Sequence, residues 1–147
     1  MIRRLRKLLG SANVVAAAGR WAVRREQARL GGAWESVRFE VAGRPLSDAE
    51  AQARRTTLRF AGRRVTLEQH GTLEGEYTVD PVGRPGEIDL DLRLADGRLL
   101  LLGVYERADD SLTLHLGGIG RGRPPGLTSR PGVVSQVIYF RRVAAPG

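Results

Sequence analysis

His70 and His115 are the only imidazoles in the 147 residues, and there is no cysteine. A zinc site draws on several nitrogen or sulfur donors at short spacing. Here one histidine falls in an expected turn and the other faces outward from an expected strand, with nothing to complete a ligand set. Both read as structural or surface residues, and no metal is implied. Absence of cysteine removes thiol chemistry and leaves the compartment unread. Glu74, Glu76, Glu87, Asp89 and Asp91 alternate with apolar residues and so share one outer sheet face. Their oxygens could form a weak calcium patch, but Arg64 and Arg93 nearby make solvated ion pairing the simpler reading. Ser36, Ser111, Ser129 and Ser135 show no histidine and acid spacing that would make a nucleophile. Gly117-Gly118-Ile119-Gly120-Arg121-Gly122-Arg123 has the glycines and cations of a phosphate cradle but no strand-to-helix context, so a plain loop is the simpler reading. The expectation is a non-enzymatic protein with no catalytic residues and no cofactor.

The elements that would position these residues are mostly strands. From Ala33 the hydrophobic period is two, with turn signals at barrel-like spacing. Strands are expected over residues 33–42, 56–61, 64–69, 72–80, 87–94, 98–107, 111–116 and 133–143. Ser47-Asp48-Ala49-Glu50 is a capping box that starts one short helix, running to about Arg55. Asp96-Gly97 is the strongest hairpin signal, because both residues suit positive φ at the centre of a two-residue turn. Residues 117–132 hold six glycines and three prolines and form a long, irregular, mobile connection. Leu73, Gly75, Tyr77 and Val79 alternate with charged or polar neighbours, as do Ile88, Leu90, Leu92 and Leu94, so one face is wet and the other closes on a core. Eight antiparallel strands with short hairpins favour an up-and-down barrel, which leaves no edge exposed. Around Trp34 the alternation fails: Trp34 and Phe39 have opposite parity, and a β-bulge near Ser36 reconciles them. The strand at 98–107 is apolar on both faces, which predicts cover by the N-terminal helix or self-association with a second copy.

Residues 1–18 begin with Arg3, Arg4, Arg6 and Lys7, continue through a short apolar run and end in Ala16-Ala17-Ala18. That order resembles an export signal to the periplasm or envelope; a basic amphipathic helix or a tail is the alternative. The apolar run is too short for a transmembrane span of about 20 residues. Arg20 to Leu30 reads as a helical lead-in stopped by Gly31-Gly32, able to plug one end of a barrel, so residues 1–29 form an extension and 30–147 the domain. The net charge is +8, and subtracting the four cations of the first seven residues leaves +4. Lys7 is the only lysine. This arginine-rich bias reflects composition as much as a selected surface.

A family resemblance is carried by Leu30-Gly31-Gly32-Ala33-Trp34, Gly43-Arg44-Pro45-Leu46, Leu73 to Pro81, Pro85-Gly86-Glu87-Ile88-Asp89-Leu90, Gly103-Val104-Tyr105-Glu106-Arg107 and Arg123 to Gly132. Taken in order, these resemble a lipocalin-like, calycin-like domain family of unknown function expanded in planctomycete bacteria. The resemblance implies an up-and-down barrel and no activity. Gly32-Ala33-Trp34 is also similar to the Gly-x-Trp of true lipocalins, which implies that Arg142 or Arg141 on the last strand lies across the Trp34 ring.

Two functions follow as expectations. The first is small-molecule binding: an apolar ligand in the barrel interior near Leu58, Phe60, Val65, Leu67, Tyr77, Ile88 and Leu114, with Gly75 leaving room and the Tyr77 hydroxyl orienting the guest. The second is a packed, ligand-free barrel that meets a protein, nucleic acid or an anionic envelope surface through Arg20, Arg24, Arg25, Arg54, Arg55, Arg63 and Arg64. No aromatics interleave with those arginines, which argues against nucleic acid.

Overall fold

The computed structural model describes residues 19–144, so the expectations for residues 1–18 lie outside the described residues. Residues 19–30 are helical (α1). They are followed by β1 (Gly32–Val41), the two-residue β2 (Arg44–Pro45), α2 (Asp48–Ala53), β3 (Thr57–Ala61), β4 (Arg64–Glu68), β5 (Thr72–Asp80), β6 (Gly86–Leu94), β7 (Gly97–Ala108), β8 (Ser111–Gly117) and β9 (Ser135–Arg142). Every adjacent pair is antiparallel, β2 is appended to β1, and β9 returns to pair with β1, closing an eight-strand barrel.

Closure depends on β1 serving two neighbours. Its first part pairs with β3 from Gly32 to Glu35, while Trp34 to Val41 pair with β9. The register with β9 slips between Ser36 and Arg38, and Val37 is pushed outward to 54% exposure. That bulge changes the parity of the strand, so that Trp34 and Phe39 both reach the core. The capping box forms as the sequence predicts: Ser47 Oγ accepts from Glu50 N–H, and the Glu50 carboxylate accepts from Ser47 N–H. Arg44 also donates to Glu50, and these contacts hold its carboxyl down at about 2.

The β6–β7 turn differs from expectation. Leu94 pairs with Gly97, so the two turn residues are Ala95 and Asp96, and neither has positive φ. Moving the turn one residue changes the pairing by two positions and preserves every face, so alternation alone does not choose between the two registers. The observed one sets Gly86 opposite Tyr105. A Cβ at Gly86 would stand 2.7 Å from the Tyr105 ring, so this pairing seats the bulky ring against the residue with no side chain.

The long connection, residues 118–134, crosses the outside of the barrel as a strap. At one end Arg123 donates to Gly103 O at 2.8 Å and pairs with Asp89 at 2.6 Å. In the middle His115 Nδ1 meets Gly126 O at 2.5 Å, and at the far end Ser129 Oγ donates to Glu40 at 2.7 Å while accepting from Gly43 N. Arg123 reaches across the outer side of β7 at Gly103, beside Val104, which is buried to 4% exposure. On that face the strap takes the place expected for the N-terminal helix or a second copy, while Leu100, nearer the β6–β7 hairpin, remains exposed. The segment is irregular, as its composition requires, but it is pinned at intervals along its length.

α1 sits at one end of the barrel, here called the base. A helix terminus leaves carbonyls without partners. Trp34 Nε1 donates to Leu30 O at 2.9 Å, and Arg142 donates to Gly31 O at 2.8 Å and to Arg29 O at 2.6 Å. The same guanidinium lies 4.2 Å from the Trp34 ring centroid, so one arginine satisfies the helix end and covers the ring that anchors β1. Arg141, the other candidate for that position, is exposed on the outer face.

Candidate functional site

The two ends of the barrel are unlike. Leu30, Trp34, Leu58, Phe60, Tyr77, Ile88, Leu90, Leu114 and Phe140 are each no more than 2% exposed and fill the base and middle. Phe60 and Tyr77 pack edge to face with centroids 4.7 Å apart. Toward the opposite end the walls part and a cavity of about 600 Å³ opens at the mouth. Its apolar wall is Leu67, Leu73, Leu92, Leu99, Leu101 and Ile138. The strands place these residues by parity: Leu67 pairs with Leu73 and Leu92 with Leu99, all pointing inward within the last turns of the barrel.

Of the interior positions expected to face a ligand, only Leu67 lines this cavity. Leu58, Phe60, Val65, Tyr77, Ile88 and Leu114 are brought together, but with one another in the packed core. Gly75 does not open space either. A Cβ there would lie 1.9 Å from Asp91 O, so the glycine lets β5 and β6 approach closely rather than making room for a guest. Leu73 and Leu92 were legible as inward residues, but their depth along the barrel was not; the face of Leu99 and Leu101 was not legible, because their strand is apolar on both.

Among the described residues the buried Tyr77 hydroxyl has no hydrogen-bond partner, and burial, reinforced by the Glu26 charge, pushes its pKa up to about 12. Burial raises the Tyr105 phenol in the same direction. Below pH 10 the folded and unfolded phenols are both protonated. Between pH 10 and about 12 the unfolded Tyr77 releases its proton while the folded one keeps it, so stability falls as pH rises through that window. Tyr77→Phe is expected to raise stability at neutral pH by about 1–3 kcal/mol, the cost of an unpaired buried hydroxyl, and to move the alkaline unfolding midpoint upward. Urea titrations at pH 7 and a fluorescence-monitored alkaline titration check both; a less stable variant would show that the hydroxyl has a partner.

The other polar residues are engaged structurally. His115 faces outward but is only 2% exposed beneath the strap, so it is not a surface residue. Its Nε2 lies 2.8 Å from Ser135 Oγ. Such a pair could serve as nucleophile and base, but here it clasps the strap to β8 and β9, and its third partner is the Gly126 carbonyl. His70 sits exposed in the β4–β5 turn at φ 56°. Ser36 Oγ accepts from Thr56 N–H, and Ser111 donates to Ala108 O. Asp89 and Glu87 pair with Arg123 and Asp91 with Arg98, in place of the expected Arg64 and Arg93. Among the described residues no three of histidine, aspartate or glutamate group as a metal site.

No family model, curated protein or solved structure matches this chain.

The candidate interface arginines lie toward both ends of the barrel, Arg20, Arg24 and Arg25 being on α1. Arg54 lines the mouth, Arg63 and Arg64 lie at the β3–β4 hairpin, Arg55 pairs with Glu35, and Arg25 stacks on Trp21 at 5.2 Å. Among the described residues no helix is long and apolar enough to cross a membrane.

Proposed function

We propose that the protein is a non-enzymatic, lipocalin-like binding module that takes a small, mostly apolar ligand into the mouth half of its barrel. The observation that carries this reading is the leucine- and isoleucine-walled cavity of about 600 Å³. It falls inside the roughly 300–1,000 Å³ range of small-molecule sites, whose walls are mainly apolar with a few placed polar groups. The Gly32-Ala33-Trp34 motif with Arg142 across its ring supports the lipocalin-like part of the reading. The packed base supplies a rigid floor, so a ligand can enter without rebuilding the core.

The test is native mass spectrometry of protein purified from its own host, followed by a thermal-shift screen of fatty acids, isoprenoids and aromatic metabolites. A ligand at a hundredfold excess over its dissociation constant adds about 2.7 kcal/mol of stability. Leu101→Trp, which fills the cavity, is expected to abolish that gain while leaving the barrel folded. If nothing co-purifies and no compound moves the midpoint, the ligand reading fails and a packed scaffold for surface contacts replaces it.

A further inference from the structure

We propose that the ligand of the mouth is an amphiphile with one anionic head, carboxylate or phosphate monoester, held at the rim by Arg54 and Arg121 while its apolar body enters the barrel. This rests on the binding reading above and specifies its chemistry.

The polar lining of the cavity is one-sided. Among the described residues Arg54 and Arg121 are its only charged ones; Thr56, Gln69, Ser135 and Gln136 are neutral, and no aspartate or glutamate lines it. Some arginines elsewhere have carboxylate partners, as Arg55 has Glu35, Arg59 has Glu68, Arg98 has Asp91 and Arg107 has Glu26, while others, Arg63, Arg64 and Arg93 among them, have none among the described residues. Among the described residues neither Arg54 nor Arg121 has a carboxylate within 4.0 Å. What marks the two is their place: both line the cavity, and among the described residues no carboxylate there offsets them.

Both arginines are held by their backbones. Arg54 caps the end of α2, and its carbonyl accepts from Gln69 Nε2 at 3.0 Å and from Thr56 Oγ1 at 2.8 Å. Arg121 N–H donates to Gly118 O at 2.9 Å, closing a turn of the strap beside the cavity. Two anchored cations without counter-charge, beside low-dielectric walls, give the mouth a positive potential. An anionic head gains charge-assisted hydrogen bonds there, a neutral head gains little, and a cationic head is repelled. Because both side chains are exposed, the head stays partly hydrated and only the apolar body must leave water.

The experiment is calorimetric titration of the full chain with four probes that share a decyl tail: decanoate, decyl phosphate, decanol and decyltrimethylammonium. Each is measured on the wild type and on the double variant Arg54→Gln, Arg121→Gln, with circular dichroism melting as the check on folding. Decanoate or decyl phosphate is expected to bind about tenfold or more tightly than decanol, with the tighter of the two identifying the head. The cationic probe is expected to bind weakest. In the double variant the preference should collapse while decanol affinity stays unchanged. Equal affinities for anionic and neutral probes, or a preference that survives the double substitution, would overturn the head assignment and leave the cavity reading standing. Failure of all four probes on the wild type would remove both.

Discussion

Replacing Gly75 by alanine is expected to lower the stability of the barrel by roughly 3–5 kcal/mol, the exceptional range for a single substitution. The added Cβ would stand 1.9 Å from Asp91 O and 2.8 Å from Leu92 Cα. Both are backbone atoms, so no rotamer change relieves the overlap, and β5 must move away from β6. It is not free to do so, because Gly75 pairs with Val65 of β4 on one side and Leu92 of β6 on the other. A closed barrel has no edge along which the displacement could dissipate. Gly97→Ala serves as the control: among the described residues an added Cβ there meets nothing within 4 Å, and alanine reduces the conformational entropy lost on folding, so its effect is expected to be near neutral. Urea denaturation measures both. A loss below about 1 kcal/mol at Gly75 would mean that the strands separate without strain.

Gly75 also shows what the sequence conveyed and what it left out. Alternation along β5 and β6 marked it as inward-facing, and that is where it lies. The absence of a side chain, however, fits both a space for a ligand and a close backbone approach, and only the position of Asp91 O decides. The same limit applies to depth. Leu58 and Leu67 are cross-strand partners of the same parity, yet Leu58 is fully buried while Leu67 lines the cavity. Period two separates inside from outside and says nothing of distance along the barrel axis. The bulge was legible because it breaks a local pattern, with Trp34 and Phe39 out of phase, and the capping box because its residues lie within one turn.

The strap was less legible for a different reason. Arg123 binds a carbonyl twenty residues away in sequence, and His115 is covered by a glycine carbonyl that any loop could supply. Such contacts leave no periodic trace. Nor does an outward-facing histidine announce that a loop will cover it. Of the mouth arginines, Arg54 was visible only as a member of a basic set and Arg121 only as part of a glycine-rich run; what separates Arg54 from Arg55 is the presence of a carboxylate across the fold.

Glu26 is the clearest case of a residue whose importance the sequence concealed, since it sits in a helix rich in arginine and glutamine and reads as part of a solvated face. In the fold it is 9% exposed, accepting from Tyr105 Oη at 2.7 Å and from Arg107 Nη2 at 2.9 Å. These bonds and Leu30 fasten α1 to the base. Glu26→Ala is therefore expected to cost about 3 kcal/mol or more, because it leaves the Arg107 guanidinium in a site where water reaches it poorly and removes the acceptor of the Tyr105 hydroxyl. Glu26→Gln, which keeps one acceptor but no charge, should cost less. If the penalty is mainly that of a stranded charge, adding Arg107→Met to Glu26→Ala should recover a large part of it, and a double-mutant cycle measures that coupling. Hydrogen exchange should show lost protection at the end of α1 while β3 to β6 remain protected, since the ion pair ties the helix to the barrel without closing the barrel itself. Uniform loss of protection around the barrel would instead make Glu26 part of the global fold, and a penalty below about 1 kcal/mol would reduce it to an exposed ion pair.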